Sequence, residues 1–162
     1  MTGLKELRQM ALEDSRKKYP TLPEGARYIK PYSDKTANAL TRAIIDFLRF
    51  SGCQAERIAV TGRYLDHSKV ITDVTGFRRR IGSGKWIPGS MQPGTADISA
   101  TINGRSVKIE IKMKDKQSPA QQKYQAAIER AGGVYLICRS FDEFKQWYDN
   151  INLLKNEDNN CK

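Results

Sequence analysis

The hydrophobic positions along the chain repeat at helical spacing in several segments. We expect amphipathic helices over residues 4–18, 35–50, 118–131 and 140–151, because apolar side chains recur there every three or four positions. Two of these helices carry a capping-box signature at their start, Ser118 with Gln121 and Ser140 with Glu143. Residues 156–162 are polar, and we expect this tail to be disordered.

Apolar and polar residues alternate over residues 95–113, which predicts a β-hairpin. Asn103-Gly104 separates the two alternating runs and favours a two-residue type I′ turn. In this turn Ile98 faces Ile109, and the same register gives the hairpin one continuous apolar face. A slip of one residue would turn every side chain to the opposite face, so the apolar face supports the register.

The remaining strand signals complete the predicted architecture. Residues 57–64 and 134–138 indicate strands, and residues 70–87 indicate two short strands around Gly82-Ser83-Gly84. The order of helices and strands predicts an α/β fold, in which helices flank a mixed sheet. We expect one domain over residues 35–151, preceded by a helix and extended segment (1–34) and followed by a polar tail (152–162).

Composition limits the classes of partner and compartment. A net charge of +10 favours a polyanionic partner such as nucleic acid, although a basic surface that only faces solvent would produce the same net charge. The three cysteines are widely separated and have no CxxC spacing, so we expect neither a disulfide framework nor a zinc site. No long apolar segment is present, and we expect a cytoplasmic protein without a membrane span. The single histidine, His67, excludes mechanisms that need two.

The hairpin register places Asp97 opposite Glu110 on its polar face. Directly opposed Cβ atoms lie roughly 4.5–5.5 Å apart, and like charges there destabilise a sheet. A proton or a cation between the two carboxylates would relieve the repulsion, and hard oxygen ligands suit Mg²⁺ or Mn²⁺. Lys112 shares this face, where it can orient a metal-activated water or neutralise charge on a phosphate. The alternative is a solvated ladder of charges, with neighbouring lysines balancing the carboxylates.

This pattern resembles the PD-(D/E)XK nuclease superfamily, whose motif is an acidic residue on one strand and (D/E)XK on the next. The segments that carry the motif are Pro93-Gly94-Thr95-Ala96-Asp97 and Glu110-Ile111-Lys112. The segments Ser118-Pro119-Ala120-Gln121 and Ala131-Gly132-Gly133 are similar to the VRR-NUC branch, found in phage and bacterial nucleases. The resemblance covers roughly residues 35–149 and implies a restriction-endonuclease-like core.

The resemblance implies a role for each motif residue. Asp97 and Glu110 would bind a metal through their carboxylates, and Ile111 would add its main-chain carbonyl. Lys112 would act on the attacking water or the phosphate. Gln121 would contact the site, although its capping-box role explains the residue equally well.

One position departs from the family pattern. Family members often carry a glutamate on the first helix, and the corresponding residue here is Asn38. Its amide oxygen can bind a metal or position water, but it lacks the charge, which puts a second metal in doubt. Asp46 is the nearest carboxylate on this helix.

Basic residues cluster between the first helix and the hairpin, and we expect them to contact phosphates of DNA. Arg78-Arg79-Arg80 leads into a glycine-rich segment that ends with Lys85 and Trp86, and this segment is predicted to form a loop at the mouth of the cleft. Trp86 would stack on an exposed base, or alternatively anchor the loop on the domain. Lys114, beyond the metal-binding motif, is a further expected DNA contact.

Together these features predict a Mg²⁺- or Mn²⁺-dependent DNA endonuclease in a bacterial or phage-infected cell, with a role in DNA repair or recombination. The resemblance suggests flap or branched DNA as substrate. A Holliday-junction resolvase, a restriction-like nuclease and a non-catalytic nucleic-acid-binding module are the alternatives. A homodimer stays open, because small nucleases of this fold often dimerise to cut both strands.

Overall fold

Helices flank a mixed β-sheet in the computed structural model, which describes residues 3–58, 62–87 and 92–160, with the backbone alone over 154–160. The predicted α/β fold class is therefore confirmed. The helices are α1 (Gly3–Lys18), α2 (Ala37–Phe50), α3 (Pro119–Arg130) and α4 (Phe141–Asn160). The strands are β1 (Gln54–Arg57), β2 (Arg63–Asp66), β3 (Lys69–Thr72), β4 (Arg78–Ile81), β5 (Gly84–Ile87), β6 (Ile98–Ile102), β7 (Arg105–Ile111) and β8 (Val134–Cys138).

The main sheet has the strand order β1-β6-β7-β8. Strands β1, β6 and β7 are antiparallel, whereas β8 runs parallel to β7 after the α3 crossover. The predicted hairpin register is confirmed, because Ile98 pairs with Ile109. Asn103 and Gly104 have φ angles of 52° and 77°, the positive values that a type I′ turn requires.

The apolar face of the main sheet packs against α2 and α4, and α1 packs against these two helices. Side chains of α2 and of the hairpin belong to one buried cluster, which includes Leu40, Ile44 and Ile109. Leu7 of α1 is fully buried in the same cluster, so the N-terminal helix contributes to this core. The opposite, polar face lies under α3, which has no fully buried side chain and covers that face only in part.

The predicted strand over residues 57–64 is wrong. The structure has β1 at Gln54–Arg57 and β2 at Arg63–Asp66, while residues 59–61 lie outside the described part. Backbone pairing with β6 holds the polar residues of β1 in a strand, so tertiary context overrides local propensity here.

Residues 62–87 form a long two-stranded ribbon, which we call the β-arm. β4 and β5 do flank Gly82 and Ser83, but they pair with β3 and β2 respectively, not with each other. Asp66 pairs with Gly84 and Lys69 with Ile81, which means that both ladders share one register. The four strands therefore belong to one hairpin, interrupted near its middle, whose tip is the turn at Asp73.

The C-terminal helix is longer than the sequence predicts. α4 continues to Asn160, whereas the polar composition indicates a disordered tail from residue 156. Across the described ranges no helix combines the length and apolar character that a membrane crossing needs.

Candidate active site

A tight loop before β6 positions the first carboxylate. Gly94 has a φ of +83°, and a Cβ on it would lie 2.5 Å from the main-chain carbonyl of Ala120. The loop therefore packs directly on the first turn of α3, which only glycine permits. Thr95 closes the turn, because both its N–H and its hydroxyl donate to the carbonyl oxygen of Gln92.

Asp97 is held at the point where β6 begins. Its main-chain carbonyl accepts a hydrogen bond from the N–H of Ile58 at 2.8 Å. Its Oδ2 accepts one from the N–H of Ile111 at 2.9 Å. The regular β6–β7 ladder starts one residue later, at Ile98, but the carboxylate still lies against the end of β7, beside Glu110.

Glu110 is a buried carboxylate with one satisfied oxygen. Its exposed fraction is 4%. Oε1 accepts a hydrogen bond from Gln121 Nε2 and lies 3.3 Å from Lys112 Nζ. Oε2 is buried and has no hydrogen-bond partner among the described residues. Burial raises the pKa of Glu110 above its ordinary value, the charge of Asp97 raises it further, and Lys112 and Gln121 oppose both effects.

Gln121 uses both ends of its amide. Its Oε1 accepts from the N–H of Ser118 at 2.9 Å, and its own N–H donates to Ser118 Oγ, which completes the capping box. Its Nε2 donates to Glu110. The two roles that the sequence offers as alternatives are therefore both present.

Lys112 lies just beyond β7 and turns back toward Glu110. Its N–H donates to the carbonyl of Cys138 at 2.9 Å, which fixes the main chain against β8. Its side chain is 14% exposed, so the ammonium is held in a largely buried position. The metal contact predicted for the Ile111 carbonyl stays a prediction, since the bond described for this residue is made by its N–H.

A cleft of about 370 Å³ opens between the loop and the start of α3, with Asp97, Glu110 and Gln121 in its wall. The described residues contain no group of three or more acidic, histidine or cysteine side chains that could surround an ion. Two carboxylates nevertheless suit Mg²⁺, which usually keeps several waters and takes one or two protein carboxylates. The unpartnered Oε2 of Glu110 gives the site a free oxygen donor, so these residues fit a hydrated divalent cation.

Asn38 and Asp46 are engaged elsewhere. Asn38 Oδ1 accepts a hydrogen bond from Arg57 Nη2 at 2.8 Å, and Asp46 accepts one from the hydroxyl of Tyr32 at 3.0 Å. Asn38 and Asp46 line a second cleft with Arg57, separate from the one that contains the paired carboxylates.

Tyr135 is a residue that the sequence analysis missed. It lies on β8 beside Lys108, and the alternation along β7 puts it on the same sheet face as Glu110. Its hydroxyl is buried and makes no hydrogen bond of normal geometry in the described part of the chain, although the side chain of Gln117 lies close to it. Burial raises its pKa to about 12, Glu110 adds to the shift, and nearby Gln117 opposes it. The sequence does contain one signal for Tyr135, because strand alternation over Val134–Cys138 places it on the face opposite the apolar side chains. Its closeness to Glu110 depends on the β7–β8 register, which the sequence alone does not give.

The basic residues assigned to DNA contacts lie in two places. Arg78, Arg79, Arg80, Lys85 and Trp86 are exposed on the β-arm. The prediction of a loop is wrong, because these residues are in paired strands. Backbone pairing, which the local sequence does not specify, is the reason. The described lining of the cleft contains none of them, and their place at its mouth stays a prediction.

Arg80, Trp86 and Lys114 differ in how much of each side chain is left for contact with DNA. Arg80 pairs with Asp66 and donates to Ser68, so part of its hydrogen-bonding capacity is used within the β-arm. Trp86 lies over Gly62 and is still 59% exposed, which leaves ring surface for a partner. Lys114 is exposed in a bend after β7.

Comparisons of the chain with protein-family models, with characterised proteins and with solved structures give no match. The superfamily resemblance therefore rests on the motif and on the arrangement of the residues described above.

Proposed function

We propose that this protein is a Mg²⁺- or Mn²⁺-dependent DNA endonuclease of the PD-(D/E)XK superfamily, VRR-NUC-like, with a restriction-endonuclease-like core. The observation that carries the proposal is Glu110, a buried carboxylate beside Asp97 with one unpartnered oxygen. Lys112 and Gln121 engage only Oε1, so burial of the second oxygen and the nearby charge of Asp97 still disfavour the ionised form of Glu110, and a cation held by the two carboxylates would offset their repulsion.

The chain's own residues have distinct tasks in this proposal. Asp97 and Glu110 hold the cation, which when bound supplies an activated water and stabilises charge on the phosphate. Gln121 fixes the orientation of Glu110 through its amide N–H. Lys112, beside Glu110, orients the attacking water or neutralises the developing charge on the phosphate.

An endonuclease specific for flap or branched DNA is the preferred form, with a Holliday-junction resolvase and a restriction-like nuclease as alternatives within the same chemistry. The rival from another class is a nucleic-acid-binding module without cleavage. The engagement of Asn38 with Arg57 favours that rival, since this position then adds no ligand to the site.

Single-turnover cleavage of plasmid, single-stranded, flap and four-way-junction DNA, each with Mg²⁺, Mn²⁺ or EDTA, tests the proposal. We expect metal-dependent cleavage of at least one substrate. Lys112→Ala should slow it by about 10²–10⁴-fold if the lysine supplies proton transfer. Lys108→Ala is the matched control, because Lys108 lies on β7, on the same sheet face as Glu110, but donates to Ser99. The proposal of an endonuclease is contradicted if the wild type cleaves none of these substrates. The catalytic role of Lys112 is contradicted if Lys112→Ala cleaves at the wild-type rate.

The cellular setting is part of the proposal. We propose a cytoplasmic protein of a bacterial or phage-infected cell that acts in DNA repair or recombination. A homodimer would place two such sites on the two strands of one duplex.

A further inference from the structure

We propose that the β-arm enters the major groove of double-stranded DNA as a two-stranded ribbon. The inference rests on the proposed function only in that both take DNA as the partner. It adds a binding element separate from the carboxylate cleft, and it selects duplex DNA over duplex RNA.

The β-arm exposes several large apolar side chains to solvent. Val70 is 60% exposed, Phe77 66% and Tyr64 61%, and most of the exposed large apolar side chains in the described ranges lie on this element. Concentrated apolar exposure of this kind marks an interaction surface. Tyr64 and Trp86 also have a local role, since each ring lies over a glycine of the β-arm.

The exposed groups occupy both faces of the ribbon. Val70 pairs with Arg80 on one face, and Ile71 pairs with Arg79 on the other. Each face therefore presents apolar and basic side chains together. A flat partner surface covers only one face of a ribbon, whereas a groove lies against both faces and has phosphates along both of its walls.

The charges of the β-arm favour a polyanion over a second copy of the chain. Asp66 pairs with Arg80. Asp73 is used inside the tip turn, where its Oδ1 accepts from the N–H groups of Thr75 and Phe77. Both acidic residues of the β-arm are thus engaged within it, and Arg78 and Arg79 remain exposed with no ion pair among the described residues. Two copies packed arm to arm would bring these like charges together.

The dimensions of the β-arm match the major groove of B-form DNA. Paired strands lie about 4.8 Å apart, and a groove about 12 Å wide admits a two-stranded ribbon with its side chains. At about 3.3 Å per residue, residues 63–72 span about 30 Å, close to one helical turn of about 34 Å. The minor groove, about 6 Å wide, is too narrow, and so is the deep major groove of A-form RNA.

Fluorescence anisotropy with the full chain and a labelled 30-base-pair DNA duplex, with Ca²⁺ in place of Mg²⁺, tests the inference without requiring cleavage. In one variant, Asn-Gly replaces residues 67–83, so that Asp66 and Gly84 keep their pairing across a two-residue turn. The second variant is Arg78→Ala with Arg79→Ala, which removes one arginine from each face. The control, Lys5→Ala with Arg8→Ala, removes the same charge from the exposed surface of α1.

We expect the shortened variant to bind the DNA duplex at least about tenfold more weakly than the wild type. The double arginine variant should make the slope of log affinity against log salt shallower by about 2, since each lost phosphate contact contributes about 0.9. The α1 control should leave both quantities unchanged. A duplex RNA of the same sequence should bind more weakly than DNA and respond little to shortening.

Three results would overturn the inference. The first is a shortened variant that folds, as judged by its thermal unfolding, and binds the DNA duplex like the wild type. The second is an equal loss of affinity for DNA and RNA duplexes, which would mean phosphate contact without groove entry. The third is a wild-type dimer, seen by light scattering, that becomes a monomer on shortening while its DNA affinity is unchanged. Absence of cleavage on every substrate would contradict the proposed function and leave this binding result standing.

Discussion

Glu110→Gln should make the metal-free protein more stable while it removes the response to metal. The substitution keeps the size of the side chain and takes away its charge. The amide oxygen can occupy the position of Oε1 and keep the hydrogen bond from Gln121. The amide NH₂ then occupies the position of the unpartnered Oε2 and carries no charge that Asp97 would repel.

The magnitude follows from the surroundings of the carboxylate. A buried polar group without a partner costs about 1–3 kcal/mol, and more when charged. Against this gain stands the lost attraction to Lys112, whose Nζ lies 3.3 Å from Oε1. We expect a net stabilisation of about 1–2 kcal/mol, which raises the melting temperature of a chain of this size by about 2–8 °C.

Thermal unfolding in EDTA and with millimolar-scale Mg²⁺ measures both effects. The wild type should melt higher with metal, by linkage, and Glu110→Gln should not respond. The difference between the two proteins in EDTA should grow as the pH rises above 4.5, the ordinary pKa of the group. The unfolded chain ionises Glu110 from that pH upward, while the folded state resists ionisation because its pKa is raised, so the wild type loses stability.

Glu56→Gln is the matched control for this experiment. Glu56 lies on β1, two strands away from Glu110 on the same sheet face, but it is exposed. Its substitution should leave the melting temperature and the metal response near those of the wild type. If Glu110→Gln melts lower than the wild type in EDTA across neutral pH, the argument that burial and Asp97 outweigh the attraction between Glu110 and Lys112 is refuted.

Three further substitutions test other parts of the structure. Gly94→Ala should destabilise the protein and weaken the metal response, because the added Cβ meets the carbonyl of Ala120. Gly104→Ala is the control, since Gly104 has a similar φ but open space around it. Its thermal unfolding therefore measures the cost of a positive φ alone, about 1–2 kcal/mol. Phe144→Ala removes a fully buried ring and should lower the free energy of unfolding in urea by about 3–5 kcal/mol; a loss below 1 kcal/mol would contradict the described core. Tyr135→Phe should leave stability in EDTA unchanged or higher, since it deletes a buried hydroxyl that makes no hydrogen bond of normal geometry, and a clear drop in melting temperature would mean that the hydroxyl bonds to Gln117.

The hairpin and its paired carboxylates could be predicted because their signals are local. A two-residue turn at Asn103-Gly104 fixes which residues face each other, and the apolar face then excludes the neighbouring register. The short contact from Gln121 to Glu110 was predictable only in part, because the capping box gives the start of α3 but not its position over the sheet.

Other elements depend on pairing between distant residues. Tyr135 reaches the site through the parallel β7–β8 register, which is set by the α3 crossover and has no turn signal in the sequence. In the β-arm, each strand pairs with a strand on the other side of the Asp73 turn. Neither face of these strands is buried, so the sequence has no clear alternation of apolar and polar residues there. Its paired structure therefore could not be derived from periodicity.

The double use of Gln121 has a mechanical consequence for α3. One amide group caps the first turn of the helix and holds Glu110, so the carboxylate cannot rotate away without releasing its amide donor. A change of position at Glu110 is then transmitted to the N–H of Ser118 and to the loop at Gly94, which lies against the same turn. The first turn of α3 is therefore coupled to the position of Glu110. The exchange rate of its amide protons with solvent should change when Glu110 is protonated or binds a cation.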